Sequence, residues 1–200
     1  MEDPFRILGL PRQFDLTPAE VTTAHLRTVS QIHPDRATDE VQRVQMVQEA
    51  AVVGAAKQRV AHDLTRAEEL LKLLGARSFL SAPLSPEFLM ETIELRDAIE
   101  EACAHGSSDA RDSFTARVRL RRGEERDALA AAFRRAIPHP ERVGHEGLSA
   151  SSSPVSLQID ATDAPDQLGG ERRAALQDAA AALIRLRYLD RMLDRLVGDP

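Results

Sequence analysis

Apolar and polar residues along this chain follow a helical period, and caps and prolines mark where each helix begins and ends. Asp3-Pro4-Phe5-Arg6-Ile7-Leu8-Gly9-Leu10 predicts a short helix with Asp3 as its cap, Pro4 as its first residue and Gly9 as its end. After a connecting loop from Pro11 to Leu16, Thr17-Pro18-Ala19-Glu20 matches a capping box, with Thr17 as cap and Glu20 reaching back. The helix that follows runs from Pro18 to about Ile32, because Pro34 disfavours helical geometry in the residue before it. A second long stretch runs from about Asp39 to Leu74, with Gly75 as its C-cap and Gly54 as a weak point. Its apolar positions are Val41, Val44, Val47 and Ala51, then Leu64, Ala67, Leu70, Leu71 and Leu74. At about 1.5 Å per residue it is roughly 50 Å long, more than a small hairpin needs, so its far end is placed to join two modules.

Residues 76–84, with Ala82-Pro83, form a linker, and Ser85-Pro86-Glu87 opens the next helix, which runs to about His105. A further helix spans Ser108 to about Ile137, interrupted at Gly123 and ended by His139-Pro140. Residues 144–169 change character: Ser149 to Ser153, Pro154 and Pro165 with few large apolar residues predict a flexible insert. Glu171 to about Val197 is the last helix. The pattern predicts an all-α chain: a helical hairpin module in residues 1–75, the linker, and a three-helix bundle in residues 85–200 that carries the insert.

Composition agrees with that picture. Aromatics are 4% of the chain, with no Trp and one Tyr, fewer than a sandwich or barrel uses. A net charge of −6 over 200 residues argues against a general nucleic-acid binder. Arg117 to Arg126 is Arg-rich, but Glu124, Glu125 and Asp127 interleave with it, and it reads as a solvated helix face. No apolar run approaches the roughly 20 residues of a bilayer span, and the N-terminus has no secretory pattern. Cys103 is the single cysteine, which excludes an internal disulfide, points to the cytoplasm, and reads as a small buried hydrophobe beside the core stripe. The histidines are scattered, with no metal-ligand spacing, no phosphate loop and no nucleophile elbow, so neither a metal site nor a catalytic residue nor a cofactor is expected.

Two regions remain that carry chemistry. His33-Pro34-Asp35, followed by Arg36, links two long helices and so sits at the tip of a hairpin, away from its own core. There Asp35 can offer a carboxylate to a partner's Arg, while Pro34 fixes the backbone and His33 orients the loop or bonds to the partner. The same three residues also make an ordinary helix-stopping turn. On the helix opened by Ser85, Phe88, Leu95, Ile99 and Ala102 share one stripe, whereas Leu89 and Ile93 lie about 100° or more away and Met90 further round. Glu94, Asp97 and Glu101 line that outer side. Displaced apolar residues bordered by carboxylates fit a docking patch, and they also fit a helix that buries a wide face against two neighbours.

Several segments carry a resemblance to one family. Asp3-Pro4-Phe5-Arg6-Ile7-Leu8-Gly9-Leu10-Pro11 resembles the opening of J-domain proteins of the HscB type. Arg66 to Gly75 resembles that family's join between modules, and Phe88-Leu89-Met90-Glu91-Thr92-Ile93-Glu94-Leu95-Arg96-Asp97 its second-domain signature. Leu186-Arg187-Tyr188-Leu189-Asp190-Arg191 resembles its last helix. The resemblance implies an N-terminal J-domain hairpin followed by a C-terminal three-helix bundle, acting as a co-chaperone of iron–sulfur cluster assembly with no bond chemistry of its own. It implies that His33, Pro34 and Asp35, with Arg27 and Arg36, engage a DnaK- or HscA-type chaperone ATPase and stimulate it. Leu89, Met90, Ile93, Glu94, Arg96, Asp97, Glu101 and Tyr188 would then hold an IscU-type scaffold protein. No nucleic-acid or membrane partner is implied.

The chain departs from the family pattern in three ways. Pro18 to Ile32 carries only Arg27 as a fixed cation, with His25 as a second, mostly neutral candidate. Gly54 and Lys57 stand where the family places a polar amide and an aromatic residue. The insert at 144–169 has no counterpart. Two other readings stay open: a J-domain adaptor for a different client, and a helical interaction protein whose tripeptide is incidental.

Overall fold

Helix α1 (Pro4–Leu8) starts on Asp3, whose carboxylate accepts the Phe5 N–H at 2.9 Å, and stops at Gly9, where φ is 62°. Only glycine takes that left-handed backbone without strain. Helix α2 (Pro18–Gln31) carries the full capping box, with Thr17 accepting from the Glu20 N–H and Glu20 accepting from the Thr17 N–H. The computed structural model describes residues 2–104, 108–138 and 169–197. Among them are seven α-helices and no strand, in two compact units. Of the described residues, one unit holds 2–75 together with 137–138 and 169; the other combines 76–136 with 170–197. Most of the insert expected at 144–169 lies outside the described residues, as do His105, His139, Pro140 and His145 and the side chains of Ala102 and Cys103.

The long helix expected from Asp39 to Leu74 is two helices, α3 (Glu40–Ala61) and α4 (Asp63–Leu73), and the break falls at His62 rather than Gly54. Gly54 is carried through because Val53 and Ala56 beside it are buried, which outweighs the roughly 1 kcal/mol a helical glycine costs. His62 is extended, with ψ 140°, and frees the preceding carbonyls. Arg66 takes them: Nε donates to the Val60 oxygen at 2.8 Å and Nη2 to the Ala61 oxygen at 3.3 Å. The same guanidinium reaches the Phe14 carbonyl at 2.7 Å and lies over the Phe14 ring. It thereby closes the 11–16 loop over the core of Phe5, Leu8, Val60, Leu70 and Leu71. Val41, Val44 and Val47 keep the helical spacing but do not build the core: they are 81%, 50% and 52% exposed. Only from Val53 onward does the helix turn large apolar residues inward, with Val53, Ala56 and Val60 buried.

Buried Glu69 binds the end of α4 to α3. Burial raises its pKa, but hydrogen bonds from Arg59 and Lys72 outweigh this and hold it below the usual 4.5. Its stabilisation is complete above that usual value and is lost as pH falls through the lowered one.

The second unit packs α5 (Pro86–Ala104), α6 (Ser108–Ala136) and α7 (Gly170–Val197). α6 and α7 pair along Leu129, Ala132, Phe133 and Ala136 against Ala175, Leu176, Ala179, Leu183 and Leu186, all buried. Alanines at the contact let the helix axes approach. The 76–84 segment is more than a connector: residues Arg77–Ser81 form a 3₁₀ turn that packs against α7. α6 runs through Gly123 without interruption, and the Arg-rich face is not merely solvated. Arg121 pairs with Glu91 of α5 at 3.4 Å, Arg122 with Asp190 of α7, and Arg185 of α7 with buried Glu125 at 2.8 Å. These cross-helix pairs hold both flanks of the glycine.

Candidate partner-binding sites

The tip between α2 and α3 is built from both sides. α2 ends at Ile32, whose side chain is buried, and residues Pro34–Arg36 form a 3₁₀ turn closed by the Arg36 N–H on the His33 carbonyl at 3.0 Å. Arg36 folds back, its Nη1 donating to the Ser30 carbonyl at 3.2 Å, so it closes the end of α2 as well as flanking the tip. On the far side Asp39 caps α3 through the Gln42 N–H at 2.8 Å, and Gln42 accepts from Thr38 in return. Within this frame His33 Nδ1 accepts the Asp35 N–H at 3.2 Å, which puts the proton of the neutral ring on Nε2. The Asp35 carboxylate is 88% exposed, 3.4 Å from His33 Nδ1, and meets no other cation among the described residues. The tip presents a ring N–H and a carboxylate on a fixed backbone, with neither used to hold the core.

Arg27 lies exposed on α2 and reaches the Leu8 carbonyl at the end of α1 at 3.4 Å, so its side-chain hydrogen bond is to α1 rather than to the turn. His25 does not act as a second cation. Burial, and then the charge of Lys57 on α3, lower its pKa below 6.5, and its Nδ1 is buried without a hydrogen-bond partner among the described residues. A histidine kept neutral in the fold but charged when unfolded removes stability as pH falls below its unfolded value, until the lowered one is reached. The thermal midpoint of the wild type should therefore drop between pH 7.5 and 5.5 by more than that of His25→Gln. Equal drops, read by circular dichroism, would remove His25 from that dependence. Sequence reasoning missed Leu26, which is 61% exposed beside Arg27 and adds an apolar contact to this face. Its position out of step with Val21, Ala24 and Thr28, the buried residues of α2, was the available signal.

On α5 the helical period separates two faces as expected. Phe88 and Thr92 are buried, and Leu95 and Ile99 pack against Val118, Leu189, Met192 and Leu196. Leu89, Met90 and Ile93 are 41%, 60% and 45% exposed, and Glu94, Arg96, Asp97 and Glu101 are exposed around them. Tyr188 of α7 stands edge-on to Phe88 with ring centroids 6.1 Å apart, while Arg185 covers Phe88 at 6.0 Å. Phe88 thus holds Tyr188 against α5, and of the expected scaffold-binding residues Arg96 and Tyr188 line one cleft, while Leu89, Met90, Ile93, Glu94, Asp97 and Glu101 lie exposed along α5. Three large apolar side chains in water on two turns of one helix make a surface whose burial a partner would favour. Among the described residues no group of three or more His, Cys, Asp or Glu is placed to hold a metal, and no helix is long and apolar enough to cross a membrane.

Residues 84–142 match the family model described as the HSCB C-terminal oligomerisation domain. The co-chaperone protein HscB homolog of Azoarcus sp. (strain BH72) is 32% identical over 143 residues, 70% of this chain and 81% of that protein. The HscB homolog of Cupriavidus taiwanensis is 35% identical over 135 residues, 65% of this chain and 76% of that one. The solved chaperone HscB from Vibrio cholerae superposes with a TM-score of 0.65 at 21% identity, covering 98% of this chain and 96% of its own. Human co-chaperone protein HscB gives 0.67 at 17% identity, covering 99% and 82%. These structures share the fold, a J-domain hairpin followed by a C-terminal helical bundle, and with the relatives' identity they show that this chain belongs to the HscB family of co-chaperones.

Proposed function

We propose that this protein stimulates a DnaK- or HscA-type chaperone ATPase through His33-Pro34-Asp35 and delivers to it an IscU-type iron–sulfur scaffold held on α5 and α7, in the cytoplasm. The observation that carries the proposal is the tip itself: an exposed carboxylate and ring N–H on a turn capped from both helices, with no internal task. Asp35 is suited to an arginine of the ATPase, in a charge-assisted hydrogen bond that needs no rearrangement of this chain. Leu26 adds apolar area where the helix lacks a row of cations. The bundle serves the scaffold by burying Leu89, Met90 and Ile93, with the surrounding charges setting orientation. The chemistry belongs to the partner ATPase, and the role of this chain is to bring client and chaperone together.

The test has two arms. Wild-type protein should accelerate single-turnover ATP hydrolysis by the chaperone, and calorimetry should detect a complex with the scaffold. Leu89→Ala with Ile93→Ala should weaken that complex by about 2–3 kcal/mol, roughly 30- to 150-fold, since two exposed apolar anchors are removed. Helicity should be unchanged, because neither side chain is part of the core. An unaltered affinity would refute the scaffold face. A second reading, a scaffold-binding protein whose J-domain no longer works, draws on Arg27 being the one fixed cation of α2. It requires the second arm to succeed while the first gives no acceleration.

A further inference from the structure

Beside the exposed face, the C-terminal half of α5 and the C-terminal half of α7 enclose an open cleft of about 260 Å³. Ile99, Tyr188 and Met192 line it with apolar surface, and Arg96, Arg191 and Arg195 stand around it, with Glu100 as the single carboxylate. It is smaller than the roughly 300–1,000 Å³ of pockets that enclose drug-sized molecules, and it is open, so it suits a side chain or two of a protein partner rather than a small ligand.

Its charge runs against that of the chain. The protein carries −6 overall, yet three arginines and one glutamate give the lining +2. Arg96 is already committed, to Asp97 at 3.2 Å and Glu100 at 3.6 Å. Arg191 donates Nε to the Arg187 carbonyl and lies 5.9 Å over the Tyr188 ring. Neither Arg191 nor Arg195 has a carboxylate partner among the described residues. On α7, Tyr188, Arg191, Met192 and Arg195 recur at helical spacing, so the Arg191 and Arg195 guanidiniums flank one apolar opening.

Arg96 and Tyr188 belong both to the docking face and to the cleft, which makes the two continuous. We propose that the cleft is the second half of the scaffold interface and receives an apolar side chain of the scaffold flanked by a carboxylate, which Arg191 and Arg195 bind. This rests on the scaffold-docking role of Leu89 and Ile93. The opposite border of that face carries Glu94, Asp97 and Glu101. The interface is therefore polarised, carboxylates on one edge and arginines on the other, and admits an acidic–apolar segment in one orientation. A reversed segment would set its acids against Glu94 and Glu101.

Calorimetric titration of the IscU-type scaffold at low and moderate salt tests this. Arg191→Glu with Arg195→Glu should weaken binding by about tenfold at low salt and flatten its salt dependence, whereas the paired Lys variant should retain most of the affinity. Wild-type affinity and salt slope in the Glu variant, with Leu89→Ala/Ile93→Ala still weakening the complex, would overturn the cleft and leave the docking face standing. Wild-type affinity in both variants would overturn the two together. Should the Glu variant lose helicity, Arg195→Gln alone gives the same decision: a loss of about threefold supports the cleft, and no loss overturns it.

Discussion

His33→Gln should abolish the acceleration of the chaperone's single-turnover ATP hydrolysis while leaving the helical content and thermal midpoint of this protein at wild-type values. The stability half of that expectation follows from the geometry. His33 is exposed, and its internal partners are the backbone and carboxylate of Asp35 two residues on, so glutamine removes no core contact. The turn survives because its frame lies elsewhere, in buried Ile32, the Arg36 hydrogen bond to Ser30 and the Asp39 cap. The functional half follows from what glutamine cannot supply. Its flexible amide has an acceptor and N–H donors but cannot hold them at the fixed angle of a ring that accepts the Asp35 N–H, so the placement of the tip's donor and of the Asp35 carboxylate is lost. An interface anchor of this sort is worth about 2 kcal/mol or more, so stimulation should fall by at least about 30-fold at fixed concentration. Asp35→Asn should act in the same direction by removing the charge alone. On the proposed reading Leu26 and Arg27 stand in for a row of cations at this contact, so stimulation by the wild type should fall only shallowly with added salt. Undiminished stimulation by His33→Gln would move the ATPase contact off the tip.

The helix boundaries were legible wherever a local cap sets them. Asp3, Thr17 and Gly9 act within three or four residues of sequence, and the structure uses each as the spacing predicts. The two faces of α5 were legible for a similar reason, since a continuous helix fixes the angle between Phe88 and Ile93 almost regardless of its surroundings. What escaped were features set by contacts across the chain. The valines of α3 have the spacing of a buried stripe, but no element comes down on Val41, and spacing alone does not report whether a neighbour exists. Gly54 and Gly123 looked like weak points because propensity is local, yet each is flanked by residues whose tertiary contacts outweigh it. No pattern in the last helix sets Arg191 and Arg195 apart, and only the packing of α7 on α5 brings them to a cleft. The break at His62 was hidden most completely, because its cause is an arginine four residues on that no sequence rule marks as buried.

That arginine supports the other large expected effect. Arg66 is 1% exposed, and its guanidinium serves the carbonyls of Phe14, Val60 and Ala61 and the Asp63 carboxylate. Arg66→Ala would leave three carbonyls of the first unit without their donor, two at the α3–α4 break and one in the loop over the core. Losing one member of a buried, hydrogen-bonded charged network costs about 3–5 kcal/mol. At a urea dependence of about 1–3 kcal/mol per molar, the loss of helical signal should begin roughly 2 M earlier than in the wild type. Arg66→Lys should recover little of this, since a single ammonium on a flexible stem cannot span acceptors that a planar fork reaches at once. A wild-type profile for Arg66→Ala would mean that water or a rearranged α4 can satisfy the same carbonyls, and that the break at His62 does not depend on the guanidinium. The expected result ties function to this buried side chain indirectly: the tip at His33 keeps its geometry only while α2 and α3 stay packed, and α3 keeps its place only while Arg66 closes the chain that follows it.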